Sequence, residues 1–281
     1  MGKFYDTIPP ELIPWILKQE VFWVATAPLS PEAHVNVSPK GVRDSFHLLS
    51  PTRVWYQDLS GSGVETISHL RENGRITLMF NAFEGPPRIV RLFGAGTVYE
   101  FGTPEYEKLI PPENRRPGSR AAIVIDVHKV GSSCGYAVPY YDFRGHRNAL
   151  LEFFDKRELA DQKDAAAHSK TGLKAYWEEK NMKSIDGIPG LCVAPRGQTM
   201  PQCTEGMKRA DTAEDGRAVA VVKGRAAIGS AAVAVKGAVD GRRRYEELVV
   251  AFALVLIHPE RLPHPPDVEI CTSRVVVYTS I

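Results

Sequence analysis

Ser60-Gly61-Ser62-Gly63 stands between an apolar run, VWYQDL, and a helix-like segment, VETISHLREN. A glycine-serine turn at that place leaves backbone N–H groups unpaired at the positive end of the helix dipole, where an anion such as phosphate is stabilised. Ser60 and Ser62 add hydroxyl donors, while Gly61 and Gly63 let a ligand approach the backbone closely. The same residues also fit a plain capping box, with Ser62 as N-cap and Glu65 three residues later. One strand upstream, AHVNVSPKG alternates, so that His34, Asn36, Ser38 and Lys40 share one face and Val35 and Val37 the other. The spacing predicts Val35 and Val37 in the core and a polar row whose lysine reaches the same phosphate, although a solvated outer face gives the same alternation.

Holding such groups in place falls to short strands. EVFWVATAPL, AHVNVSPKG, RVWYQDL, RITLMF, RIVRLFGAGTVYEF and AAIVIDVHKVG read as about six strands with few helices between them. Connections this short favour antiparallel pairing, and closure into a barrel removes exposed edges. Asn73-Gly74 closes the helix after the turn, and Gly94 and Gly96 predict a bend or a close backbone approach in the long strand. Residues 8–19, TPEYEKLIPP, RNALLEFFDKRELADQKDAAAH and GLKAYWEEKN read as helices, the last two as packing helices. The fold class is therefore mainly β, an antiparallel barrel with flanking helices over residues 1–190. Residues 191–281 form an Ala/Val/Gly-rich tail of low complexity, in which LVVAFALVLI and RVVVYTSI each suit a strand or a buried segment.

Composition narrows the function classes. Lys and Arg number 35 against 33 for Asp and Glu, so a net charge of +2 makes no general case for nucleic acid or for an anionic membrane. Any anionic ligand must be met by local groups. The cysteines, Cys134, Cys192, Cys203 and Cys271, are too scattered for a disulfide scaffold and lack paired zinc-site spacing, so no metal is expected and a reducing, cytoplasmic setting is. The N-terminus has no secretory pattern, and the longest late apolar run is half the length that spans a bilayer.

Several separated blocks, VWYQDLSGSGVET, HLRENGRITLMF, RIVRLFGAG, SSCGYAVP and YWEEKNMKSIDG, resemble the pyridoxamine 5'-phosphate oxidase-like family of FMN-binding split barrels over about residues 5–190. The resemblance implies a six-stranded antiparallel barrel that forms a homodimer with FMN at the subunit interface. It implies a cationic phosphate contact at Lys40, with Asn36 and Ser38 beside it, and a flavin ring bordered by Tyr56, Gln57 and Asp58. Where the oxidase itself carries a Ser-Arg-Lys run at the strand-to-helix turn, this chain has SGSGVET. Ser60, Ser62, Gly63 and Thr66 then take more of the phosphate, joined by Arg88 or Arg91. The Arg-x-His-Asp-Arg segment of the authentic enzyme has no counterpart, which argues against pyridoxamine 5'-phosphate itself as the substrate.

The resulting expectation is an FMN-dependent oxidoreductase acting on an unassigned small molecule. The flavin carries the electrons, so no side-chain triad is required. The alternative is a non-catalytic flavin- or haem-binding protein on the same barrel, since fold does not fix function.

Overall fold

A computed structural model describes residues 2–163, 169–198 and 201. The expected strands at 248–257 and 274–281, the low-complexity stretch and the last residues of the 147–168 helix lie outside the described residues. Eight strands are present among those described, two more than the apolar runs predict. They are β1 Lys3–Tyr5, β2 Phe22–Thr26, β3 Asn36–Lys40, β4 Phe46–Ser50, β5 Arg53–Leu59, β6 Arg75–Asn81, β7 Ile89–Glu100 and β8 Ser119–Ser133. The additions are β1, only three residues long, and β4, FHLLS, which joins β5 as an antiparallel hairpin.

All pairings are antiparallel, in the order β3-β2-β6-β7-β8-β5-β4 with β1 also on β8. The sheet rolls on itself. Phe46 of β4, at one end of that order, meets Phe22 of β2 at 5.4 Å and Phe80 of β6 at 5.2 Å between ring centroids, near the other end. Phe22 also meets Tyr56 of β5 edge-on at 5.5 Å, so four aromatic rings fill the space that the curled sheet encloses.

Rolling needs a place where strands come unusually close. The β7–β8 register shifts between Phe93 and Gly94, and a Cβ on Gly94 would stand 2.6 Å from the Asp126 carbonyl oxygen. The expected close approach is met there by the one residue that allows it.

The short helices α1 (Ile13–Leu17) and α3 (Pro104–Leu109) lie between strands, while α2 (Glu65–Asn73) follows the turn after β5. Gly74 ends α2 at φ 71°, as expected of a left-handed C-cap, and its N–H returns to Leu70 O. Two later helices, α4 (Ala149–Lys163) and α5 (Leu173–Lys180), pack Phe154 and Trp177 into the core. Asp161 of α4 caps α5 by accepting from Leu173 N and Lys174 N at 2.8 and 3.1 Å.

The core runs past the expected boundary at residue 190, because Leu191 and Ala194 are both buried in it. Glu100, at the end of β7, is buried and accepts from the backbone N–H groups of Cys192, Val193 and Ala194 at 2.7–3.0 Å, with Arg71 on its other side.

Candidate functional site

β3 is turned the opposite way from its expected orientation. Val35 and Val37 are 68% and 60% exposed, while Lys40, Ser38 and Asn36 pair across from Phe22, Val24 and Thr26 of β2, whose side chains face the interior. The alternation is present but its faces are exchanged: the barrel takes in the polar row. A polar row on an inward face must find partners.

The partners come from α2 and β5. Asn36 Nδ2 donates to Thr66 Oγ1 in the first turn of α2 at 3.0 Å, and Ser38 Oγ donates to Asn36 Oδ1 at 2.9 Å. Thr66 is buried beside His69, whose Nδ1 lies 2.9 Å from Thr26 Oγ1. Burial holds the His69 imidazole below its ordinary pKa, against the pull of Glu65, Asp186 and Glu72.

At the other end of the row, Lys40 Nζ meets Asp58 Oδ1 at 2.8 Å and Arg120 Nε meets Asp58 Oδ2 at 2.8 Å. Asp58 is fully buried; the Lys40 side chain is 22% exposed and that of Arg120 5%. Burial alone raises the Asp58 carboxyl, but the charges and hydrogen bonds of Lys40 and Arg120 outweigh it and hold the group below the usual carboxylate range. Two cations against one carboxylate leave one positive charge over. Arg120 also donates Nη1–H to Gly63 O at 2.8 Å, which ties this charge to the strand-to-helix turn.

The start of α2 has no side-chain cap, and the Glu65 carboxylate lies against Gly63 in the turn before it. Val64, not Ser62, is the N-cap of α2. The capping box is therefore absent: Glu65 accepts instead from Ile185 N at 3.2 Å, and Ser62 is exposed. Tyr56 lies below the cluster, its ring 5.9 Å from Lys40 Nζ, and its buried phenol has no hydrogen-bond partner. Burial, with Asp58 adding to it, pushes that phenol well above its ordinary pKa, so it stays a protonated donor.

The structure thus gathers Asn36, Ser38, Lys40, Tyr56, Asp58, Gly63 and Thr66 around the start of α2, with Ser62 at its rim. Four expected residues do not join them. Gln57 points to the opposite face of β5, accepting from Arg116 N at 2.6 Å and donating to Asn114 O at 3.2 Å. Ser60 is turned into the core, where Oγ donates to Gly118 O at 2.6 Å and receives Trp177 Nε1–H at 2.6 Å. Arg88 stacks over the Trp15 ring at 5.6 Å. Arg91 lies between the fully buried Val90 and Leu92, hence on the outer face of β7, and reaches Ser133 Oγ at 3.4 Å.

Sequence reasoning missed Arg120. Its signal was a lone cation opening an otherwise apolar strand, SRAAIVIDV, where alternation placed it on one side with Ala122 and Val124. Nothing local tied it to Asp58.

The curled antiparallel sheet, with a cationic cluster beside the turn between β5 and α2, defines the class of fold as a split barrel. No family model matches the chain. It is 41% identical over 201 residues to the pyridoxamine 5'-phosphate oxidase family protein ustO of Aspergillus flavus, spanning 70% of this chain and 80% of that one. The chain belongs to the pyridoxamine 5'-phosphate oxidase family. Similar solved structures include HupZ of Group A Streptococcus, at 23% identity and a TM-score of 0.36 over 44% of this chain and 91% of that one. Another is HutZ, the heme storage protein of Vibrio cholerae, at 12% identity and a TM-score of 0.34 over 46% of this chain and 98% of that one. A third is a protein of the pyridoxinephosphate oxidase family from Clostridium acetobutylicum, at 12% and 0.33 over 44% and 86%.

Proposed function

We propose that this chain is a flavin-binding oxidoreductase that holds FMN at the start of α2 and acts on a small molecule other than pyridoxamine 5'-phosphate. The observation that carries the reading is the Lys40–Asp58–Arg120 cluster, two cations on one buried carboxylate, tied by Arg120 to the turn that leads into α2. A phosphate monoester carries up to two negative charges, and this is the chemistry that would meet it. The residues fit the group: the turn supplies N–H donors, Lys40 is the partly exposed cation, and the orphaned Tyr56 phenol is a donor without an acceptor. Bound flavin would supply the electron- and hydride-accepting group.

The remaining work belongs to the chain. Lys40 would neutralise the phosphate, and Asp58 would fix Lys40 and Arg120 at their charged ends. Thr66 and Asn36 would anchor β3 to the helix that presents its N–H groups. A homodimer with the flavin between copies is part of the same reading, and the exposed Val37 on β3, with the exposed Val35 just before it, gives it an apolar edge to use.

The absorption spectrum of the purified chain tests this, followed by denaturation and identification of what is released. Free FMN in the supernatant supports the reading. A Soret band would ally the chain instead with haem storage of the kind named for HutZ, and a colourless protein that refuses added FMN would overturn the assignment. Light scattering tests the interface, since a monomer that keeps FMN would remove it.

A further inference from the structure

The turn between β5 and α2 is held from behind by residues that do not reach the proposed ligand position. Trp177, fully buried in α5, donates Nε1–H to Ser60 Oγ at 2.6 Å, and that hydroxyl donates onward to Gly118 O. Asn181, also fully buried at the end of α5, donates Nδ2–H to Gly61 O at 2.9 Å. Asn181 is itself fixed through its backbone, donating to Trp177 O and accepting from Leu191 N, both at 2.8 Å.

The geometry of the peptide bond turns this into a statement about donors. A trans peptide is planar, so the C=O of one residue and the N–H of the next point in opposite directions. Asn181 draws the Gly61 carbonyl inward, which sends the Ser62 N–H outward. Arg120 holds the Gly63 carbonyl from the cluster side, which turns the Val64 N–H away from the cluster and into the buried surroundings of Val64. The turn presents the Ser62 N–H because the Asn181 side chain holds the carbonyl before it.

We propose that Asn181, steadied by Trp177, is a positioning residue for the phosphate end of the site: it aims the Ser62 N–H without touching the ligand. The inference rests on the flavin reading above. It predicts an effect confined to the phosphate, and FMN and riboflavin differ only there.

The test is a flavin-fluorescence titration of the full chain with each ligand. Asn181→Ala is expected to raise the Kd for FMN about tenfold, the worth of one hydrogen bond to an anion, and to leave riboflavin within about twofold. Trp177→Phe keeps the buried ring and removes only the N–H, so it should shift the same ratio in the same direction by less. Equal weakening of both ligands, or no change in a folded variant, overturns the proposal. Should neither variant fold, hydrogen exchange of the unaltered chain decides: FMN must slow exchange across 177–182 more than riboflavin does, and equal protection overturns it. Lys40→Ala separates the two levels of the argument. If the unaltered chain shows no preference for FMN over riboflavin, the phosphate site itself falls; if Lys40→Ala loses the preference and Asn181→Ala keeps it, only the role of Asn181 falls.

Discussion

Asp58 and Glu158 are both buried carboxylates with arginine partners, but their surroundings differ by one cation. Glu158 of α4 takes Arg115 at 2.8 Å and Gly118 N at 2.7 Å, in a place where both charged side chains are at most 2% exposed. Burial raises its pKa, and the Arg115 charge does not fully offset that rise. Asp58 is buried as deeply, yet Lys40 added to Arg120 reverses the balance and lowers it. The sealed pair fastens a helix to the barrel. In the proposed function, the cluster's second, partly exposed cation is what meets the ligand.

The largest effect should come from opening the sealed pair. Glu158→Ala leaves the Arg115 guanidinium in the core without its carboxylate, and a loss of about 3–5 kcal/mol is expected in urea unfolding. Lys40→Ala should act on binding instead. Asp58 keeps Arg120, so stability should fall by only about 1 kcal/mol, while FMN affinity falls about ten- to a hundredfold in a fluorescence titration. Comparable stability losses in the two variants would erase the distinction between the clusters.

Acid sharpens the contrast, because the two groups titrate with opposite sign. Asp58 has a depressed folded pKa, so its stabilising share is present above the unfolded value of 3.8 and lost as pH falls through the lower folded one. Glu158 has a raised folded pKa, so its proton-linked share is full below 4.5 and lost as pH rises through the folded value. The stability gap between the unaltered chain and Asp58→Asn should therefore narrow below pH 3.8, while the gap to Glu158→Gln should widen in favour of the unaltered chain as pH falls toward 4.5. Urea midpoints across that range check both. The smallest effect belongs to Arg91→Ala: on the outer face it should leave FMN affinity within about twofold, and a larger loss would return β7 to the site.

What the sequence made legible was local. The glycine-serine turn, the Gly74 cap, the alternation in β3 and the close approach at Gly94 follow from neighbours in the chain, and the structure contains all of them. Alternation divides a strand into two faces but does not say which the barrel encloses, and in β3 the enclosed face is the polar one. Ser60 looked like a ligand donor because serine beside glycine reads as a turn; its actual partner, Trp177, is 117 positions away. Arg120 is 62 positions from Asp58, and only the β5–β8 pairing brings them together. Family likeness pointed to Lys40 and to the turn without supplying either contact.

Glu100 has a practical consequence for anyone shortening this protein. Its carboxylate is wrapped by the peptide N–H groups of residues 192–194, and Leu191 and Ala194 sit in the core beside it. Trimming the chain at 190, where its composition changes, would bare a buried charge and open a hole at the end of the longest strand pair. An expression fragment meant to retain the barrel should run to at least residue 198, and limited digestion that passes inward of that point should release a species that melts rather than a stable core.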